Sequence, residues 1–311
     1  MSNGMSTIIN GKVYYGGGEC TTNDESDSHY TVFCYAPLQD NWTTLPPLPT
    51  ELFGLGQISG KLVAVGGQSK PNFTPTNKVY TLNFNKRAQK WKQKISPMPA
   101  AKISPAVVST TSALVVAGGK NIHGECIHTV DAFVHSSQQW FTCRCSALPK
   151  SCASPSAILI ENNVFMMGGY QASDTTSKEF SSNLNQAFHA TISDFLSDAN
   201  VTSADTKVHH SSHSVWKTLP NTATYRPAAS AILDNSLLAI GGNLSTSKAS
   251  AAQKKVFAYS PTANSWIYVS DLPHPAASTT TAALSPTEIL VIGGWDSQNI
   301  KTVVKGTLTH F

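Results

Sequence analysis

The chain has 311 residues, a formal net charge of +4 and a charged fraction of only 13%. No apolar stretch reaches the ~18 residues of a membrane-spanning helix, and no dense basic cluster indicates a nucleic-acid surface. The amino-terminal residues lack the charged start and long apolar core of a secretory signal, so we expect a cytoplasmic protein.

Six apolar runs, each ended by a pair of glycines, divide the chain into similar units. The intervals between the pairs are 50, 52, 50, 73 and 52 residues. A period of this length is typical of propeller blades, because one unit cannot bury its own apolar faces but a ring of units can. The pairs are Gly16-Gly17, Gly66-Gly67, Gly118-Gly119, Gly168-Gly169, Gly241-Gly242 and Gly293-Gly294.

Each unit also contains signals for three further strands. A turn such as Ser59-Gly60 precedes the apolar run and predicts a hairpin from a small-residue strand. After the glycines come a polar loop, another apolar segment, and then a tryptophan followed by Leu-Pro or Met-Pro. We name the four strands a, b, c and d in chain order. We expect the tryptophans of strand d to be mostly buried between adjacent blades: Trp42, Trp91, Trp140, Trp216 and Trp266.

This pattern resembles the Kelch repeat family over nearly the whole chain. The shared features are the Gly-Gly after an apolar strand, the tryptophan 21 to 25 residues later, and an aromatic residue in most third strands, namely Tyr35, Tyr80, Phe133, Phe188 and Tyr259. The resemblance implies an all-β, six-bladed β-propeller with four-stranded antiparallel blades and a central channel. We therefore predict one domain spanning residues 1–311.

Unit four is longer than the others. The excess lies in residues 193–215, after strand c and before Trp216. This stretch is polar and has no clear period, so we predict a long, flexible c–d loop.

Unit six ends after strand c, so the last blade is expected to be incomplete. The sequence after strand c of unit six contains no tryptophan-bearing segment that could form strand d, and residues 1–5 are too few to form this strand well. We therefore expect that an upstream segment or domain is missing, and that the edge of strand c is prone to pairing with other chains.

The residues that could support chemistry are scattered. The cysteines Cys143, Cys145 and Cys152 and the histidines His209, His210 and His213 lack the paired spacing of a zinc site. Copper-radical oxidases and sialic acid mutarotases share this type of fold, but their ligand or acid–base sets are not evident here. The loops offer few carboxylates: Glu19, Glu51, Glu125 and Asp296. We expect no enzymatic activity, no catalytic residue, no metal and no cofactor.

The loops before strand a and after strand b should emerge on one face of the ring, which we call the rim. Its residues vary while the strands beneath repeat, which is typical of a recognition surface. The candidate binding residues are Phe53, Gln68, Lys102, Lys120, Tyr170, Arg226, Asn243 and Trp295.

Kelch propellers mostly bind peptides of partner proteins, often as substrate receptors of ubiquitin ligases or as adaptors. The resemblance thus implies a protein or peptide partner. The alternative is a carbohydrate-binding or carbohydrate-modifying propeller.

Overall fold

The apolar runs that precede the glycine pairs form the second strands of six antiparallel sheets. These sheets are seen in a computed structural model. It describes residues 4–18, 30–69, 72–84, 89–143, 146–171, 182–183, 185–199, 214–222, 225–226, 229–244, 252–296, 298–299 and 303–307. These second strands are buried along almost their whole length, as expected of strands covered on both faces, and short hairpin turns join them to the first strands.

The first three blades are consecutive in the chain and nearly alike. Blade one contains Met5–Ile9, Lys12–Gly16, Phe33–Ala36 and Asn41–Thr44. Blade two contains Gly54–Ile58, Lys61–Val65 and Val79–Leu82, with strand d reduced to a bridge between Thr81 and Lys92. Blade three contains Ala106–Ser109, Ala113–Ala117, Val130–Val134 and Gln139–Thr142.

The last three blades show the departures from the repeat. Blade four contains Ser156–Ile160, Asn163–Met167, Ala187–Thr191 and Lys217–Leu219. Blade five contains Ala229–Leu233, Ser236–Leu244, Ala252–Ser260 and Ser265–Asp271, and the short strand Tyr225–Arg226, ahead of the first strand, pairs with the end of the second. In the described residues blade six has three strands, Thr280–Ser285, Glu288–Ile292 and Val303–Thr307.

The blades form a closed ring whose inner wall is built from the six a strands. A separate cluster of buried apolar side chains lies at each of the six interfaces between neighbouring blades. The interface between blades six and one contains Val13 and Tyr15 against Leu290 and Ile292. The hydroxyl of Ser6 also donates to the carbonyl of Thr281 at 2.6 Å. The predicted six-bladed propeller is therefore confirmed.

Four tryptophans connect blades two, three, four and five each to the preceding blade. Their indole Nε1 atoms donate to a carbonyl of the preceding blade: Trp91 to Pro46 (2.7 Å), Trp140 to Ser96, Trp216 to Ser146 and Trp266 to Pro220 (each 2.8 Å). Burial is less complete than expected. Trp216 is buried, while Trp42, which lies on the side of blade one next to blade six, is 38% exposed. The expectation that all five are mostly buried was wrong for Trp42.

The structure differs from the sequence-based prediction at the start of the stretch 193–215. Ile192–Ala199 is an α-helix rather than a flexible loop. Its apolar residues Ile192 and Phe195 are buried against blades three and four. These packing contacts stabilise a helix although the stretch as a whole is polar. Residues 200–213 lie outside the described residues.

The glycine pair of unit one lies one residue later in the chain than the sequence analysis placed it. Leu114 pairs with Phe133, which pairs with Trp140, and the first glycine of the pair comes four residues after Leu114. In blade one the matching chain of pairs is Val13, Tyr35 and Trp42. The glycine equivalent to Gly118 is therefore Gly17, and the pair of unit one is Gly17-Gly18. The run of three glycines at 16–18 made the two registers indistinguishable from the sequence.

Candidate binding face

The rim is built from short backbone bridges that repeat from blade to blade. In each bridge the residue that follows the glycine pair is antiparallel to a residue just before strand a of the same blade. The pairs are Gln68 with Glu51, Lys120 with Ile103, Tyr170 with Ala153, Asn243 with Arg226 and Trp295 with Ala277. The b–c loops join them at Pro75 and Cys126. Both kinds of loop thus share one face, as expected.

Three short ribbons extend this face beyond the blades. Thr50–Glu51 pairs with Gln68–Ser69, which pairs with Thr74–Pro75. Tyr170–Gln171 pairs with Ser182–Asn183, and Trp295–Asp296 pairs with Gln298–Asn299. The rim is therefore held by backbone hydrogen bonds, which leaves its side chains free to vary in type.

Two of the candidate residues lie beneath the rim. Phe53 is 1% exposed and Lys102 is fully buried. The bridges show that Glu51 and Ile103 hold the rim positions of these units. The side chain of Ile103 is itself only 9% exposed, so strand alternation does not account for the burial of Lys102. The interval that separates Gln68 from Lys120 also separates Glu51 from Ile103, so the register of the bridge could be read from the sequence.

Lys102 instead forms a buried ion pair. Its ammonium lies 3.2 Å from the carboxylate of Asp131 and donates to the hydroxyl and carbonyl of Thr129 at 2.8 and 2.9 Å. The hydroxyl of Thr142 donates to the other Asp131 oxygen at 2.7 Å. Burial lowers the pKa of Lys102, and the Asp131 carboxylate partly offsets that effect. This group joins blades two and three below the rim.

On the rim itself, Lys120 and Tyr170 come together from neighbouring blades. The Lys120 ammonium lies 4.8 Å from the centre of the Tyr170 ring, within the range of a cation–π interaction. The thiol of Cys126 donates to the Tyr170 carbonyl at 3.4 Å. Both side chains are half-buried, so they present a cationic group and an aromatic face on one patch.

The remaining rim positions differ in chemistry. Gln68 donates its amide to the Glu51 carboxylate at 2.8 Å. Trp295 is half-buried, and its backbone exchanges hydrogen bonds of 2.7 and 2.9 Å with Ala277. Asn243 is half-buried opposite Arg226, whose backbone alone is described.

The central channel is lined mainly by hydroxyl groups and small apolar side chains. It has a volume of about 290 Å³, and the described residues around it include Ser6, Thr7, Ser104, Ser154, Ser156, Ser230, Thr280 and Thr281. Several hydroxyls hydrogen-bond across blade interfaces, as between Ser156 and Ser230 at 2.6 Å and between Thr281 and the Ser230 carbonyl. No charged side chain or histidine occurs among the described residues that line it.

The other residues considered for metal binding or catalysis do not lie together in the parts of the chain that the structure describes. Cys143 and Cys152 are buried in the core between blades three and four. Glu51 and Glu125 each accept a hydrogen bond from an amide side chain, of Gln68 and Asn121 respectively. No metal-competent group of His, Cys, Asp and Glu is found among these described positions. Glu19, Cys145 and the three histidines at 209–213 lie outside the described residues.

The family comparison agrees with the ring and its repeats. Residues 53–294 match the KLHDC2/KLHL20/DRC7 Kelch-repeats domain. The chain therefore belongs to the Kelch-repeat family. None of the helices in the described residues is long and apolar enough to cross a membrane.

Curated relatives and a solved structure extend this result. Kelch-like protein 25 of Xenopus tropicalis is 21% identical over 85% of this chain and 40% of its own length. Kelch-like protein 41a of Danio rerio is 24% identical over 50% of this chain and 26% of its own length. The chain thus spans well under half of these relatives. The solved structure of YjhT superposes with a TM-score of 0.76 at 14% identity, covering 99% of this chain and 95% of that one. At this identity the likeness concerns the fold alone.

Proposed function

We propose that the protein is a non-enzymatic interaction propeller that binds a peptide segment of a partner protein on the rim. One observation carries the proposal: five structurally equivalent rim positions hold five different side chains, Gln68, Lys120, Tyr170, Asn243 and Trp295. Variation at equivalent positions above a repeated scaffold is what a recognition surface requires.

The chemistry of the rim favours a polar or acidic peptide. The Lys120 ammonium over the Tyr170 ring can donate hydrogen bonds to a carboxylate of the peptide, and the ring adds an aromatic surface. Trp295 adds a second aromatic surface, and tryptophan, tyrosine and arginine are the types that usually dominate binding energy. The backbone of Arg226 pairs with that of Asn243 in the rim of blade five, and the proposal includes Arg226 as a second cation of the binding surface. Phe53 and Lys102 are left out of this proposed surface because they are buried.

The kinship with Kelch-like proteins supports the same role. As part of a larger assembly, such a propeller would act as a substrate receptor of a ubiquitin ligase or as an adaptor. A carbohydrate-modifying enzyme would need an acid and a base near the channel. The described channel lining offers hydroxyls in their place, so we favour binding over catalysis.

Selection of peptides from a displayed random library against the protein tests the proposal. Enriched peptides should be acidic or polar, and Tyr170→Ala, Lys120→Ala and Trp295→Ala should each weaken their binding by about 1–3 kcal/mol. The matched controls are Lys61→Ala and Tyr268→Ala. Lys61 is an exposed residue at the start of the second strand of blade two, next to the a–b turn on the opposite face, and Tyr268 is an exposed residue of the outermost strand of blade five. Equal losses in controls and rim variants would disprove the assignment of the face.

A further inference from the structure

Four exposed lysines surround one pocket between blades two and three, which we call the lysine pocket. Lys61 lies at the start of the second strand of blade two, and Lys90, Lys92 and Lys94 belong to the segment that carries Trp91. The pocket has a volume of about 200 Å³. No acidic side chain occurs among the described residues that line it.

The turns beside the lysine pocket place it on the face of the ring opposite the rim. Ser59 of the a–b turn of blade two lines one side, and Gln138 of the c–d turn of blade three lines the other. A ligand held here therefore does not compete with a peptide on the rim.

Alternation along the chain brings the lysines to one side of blade two. The indole of Trp91 points toward blade one, where it donates to a carbonyl at 2.7 Å. Neighbouring residues of an extended segment point the other way, toward blade three. Lys92 is held there because its backbone exchanges hydrogen bonds of 2.8 and 3.0 Å with Thr81. Lys61 shares this side with Val63, which is buried between blades two and three.

Packing of the ring does not require lysines at these positions. In the other blades the residues before and after the tryptophan are Asn41 and Thr43, Gln139 and Phe141, Val215 and Lys217, and Ser265 and Ile267. No ion pair or side-chain hydrogen bond within the described part of the chain uses the ammonium of any of the four pocket lysines. Like charges held close together repel each other, so a bound anion would stabilise this arrangement.

The floor of the lysine pocket strengthens its attraction for anions. Ile58, Val63 and Ile95 form an apolar wall beneath the charged groups. A cleft that combines charges of one sign with a wall of low dielectric constant concentrates the electric field. Lysine ammoniums act as point charges with three donors each, so they can serve several phosphoryl oxygens without the fixed planar geometry of arginine.

We propose that the lysine pocket binds a small molecule that carries two or three linked phosphoryl groups. One phosphate monoester has a charge of about −1.5 to −2 at pH 7, which balances at most about half of four ammoniums. Linked phosphoryl groups supply the remaining charge within one ligand. The volume of the pocket exceeds the ~150 Å³ that accommodate a benzene molecule, so it has room for more than a single small ion.

Isothermal titration calorimetry of the whole chain with inorganic tripolyphosphate, at low ionic strength and without divalent cations, tests the proposal. We expect one site whose affinity is at least about tenfold higher than that for orthophosphate and falls as salt is added. Adenosine triphosphate is titrated in parallel. A higher affinity for the nucleotide would identify a nucleoside triphosphate as the ligand, and equal affinities would show that only the phosphate chain is recognised.

Charge-removing variants locate the site. Lys61→Met and Lys92→Met should each weaken tripolyphosphate binding by about tenfold, as expected for the loss of a hydrogen bond to a charged group. The matched controls are Lys12→Met and Lys217→Met, which should bind as the wild type does. Lys12 begins the second strand of blade one as Lys61 does in blade two, and Lys217 directly follows Trp216 as Lys92 follows Trp91.

The ligand should also raise the melting temperature of the wild type and of both controls more than that of the pocket variants. Equal weakening of tripolyphosphate binding in pocket and control variants would overturn the proposal, because the anion would then respond only to net charge. Absence of saturable binding to the wild type would overturn it as well. Tighter binding of a single-stranded oligonucleotide than of tripolyphosphate would also do so, since the lysines would then form a nucleic-acid surface.

Discussion

The ammonium of Lys102 lies 3.2 Å from the carboxylate of Asp131, and the two side chains are 0% and 2% exposed. Lys102 precedes the first strand of blade three, while Asp131 is in its third strand, so the pair fixes the loop between blades two and three to the body of the next blade. Charges buried in this way are tolerated because each also has hydrogen-bond partners, here Thr129 and Thr142.

Breaking this pair should be costly. Asp131→Asn leaves the Lys102 ammonium buried without its counter-charge, and we expect a loss of about 3–5 kcal/mol in the free energy of unfolding. The control is Lys254→Met, which removes the ion pair of Lys254 with Asp271 at 3.1 Å on the surface and should cost less than about 1 kcal/mol. Urea unfolding measures both. Similar losses of unfolding free energy in the two variants would mean that burial does not increase the contribution of the Lys102–Asp131 pair to stability.

The glycine pairs should differ from turn glycines in what they tolerate. Gly118 has φ 64°, and a Cβ there would lie 2.6 Å from the Cys152 carbonyl oxygen of the next blade. Gly60 has φ 72°, yet a Cβ would meet no atom within 4 Å. Gly60→Ala should therefore cost only the backbone strain of about 1–2 kcal/mol. Gly118→Ala should cost a further ~1–3 kcal/mol, because the neighbouring carbonyl must move. Thermal unfolding of the two variants would contradict this explanation if their melting temperatures fell equally.

Much of the ring could be predicted because its signals repeat. The spacing of the glycine pairs, the apolar strands and the tryptophans predicted the number of blades and the order of strands within them. Local sequence repeats carry this information because every blade meets the same packing problem with its neighbours.

The finer register could not be assigned with the same certainty. Three consecutive glycines at 16–18 allowed two alignments of unit one, and only strand pairing with Trp42 decides between them. Lys102 was assigned to the rim because it stands at a start of strand a roughly equivalent to those of Phe53 and Arg226. Its burial depends on Asp131, which is 29 residues later in the sequence and has no local signal.

The helix Ile192–Ala199 was missed for a related reason. Its polar composition predicts a loop, but Phe195 is fully buried and its ring centre lies 5.3 Å from that of Trp216. Tertiary packing thus decides the local structure.

Phe195→Ala should show how far the helix contributes to the core. Removing a fully buried phenylalanine should lower the free energy of unfolding by about 3–5 kcal/mol. Phe73→Ala, at a position 52% exposed on a rim loop, should change it by no more than ~0.5 kcal/mol. Deleting residues 200–213 should be tolerated, since these residues follow the helix. If Phe195→Ala has the same denaturant midpoint of unfolding as the wild type, the helix is not part of the cooperative core.

His189 should make the stability of blade four depend on pH. It stacks on Phe165 at 5.3 Å between ring centres, and its strand neighbour is Lys217. Partial burial, and then the Lys217 ammonium, lower the pKa of His189 below 6.5. Below about pH 6.5 the unfolded chain therefore binds a proton at His189 more readily than the folded chain does, so stability falls as the pH drops from 6.5 through the folded pKa.

The melting temperature of the wild type should fall more steeply between pH 7.5 and 5 than that of His189→Gln. Lys217→Met, which removes the neighbouring charge, should give an intermediate slope. Parallel curves for all three proteins would show that the folded and unfolded states bind the His189 proton equally well.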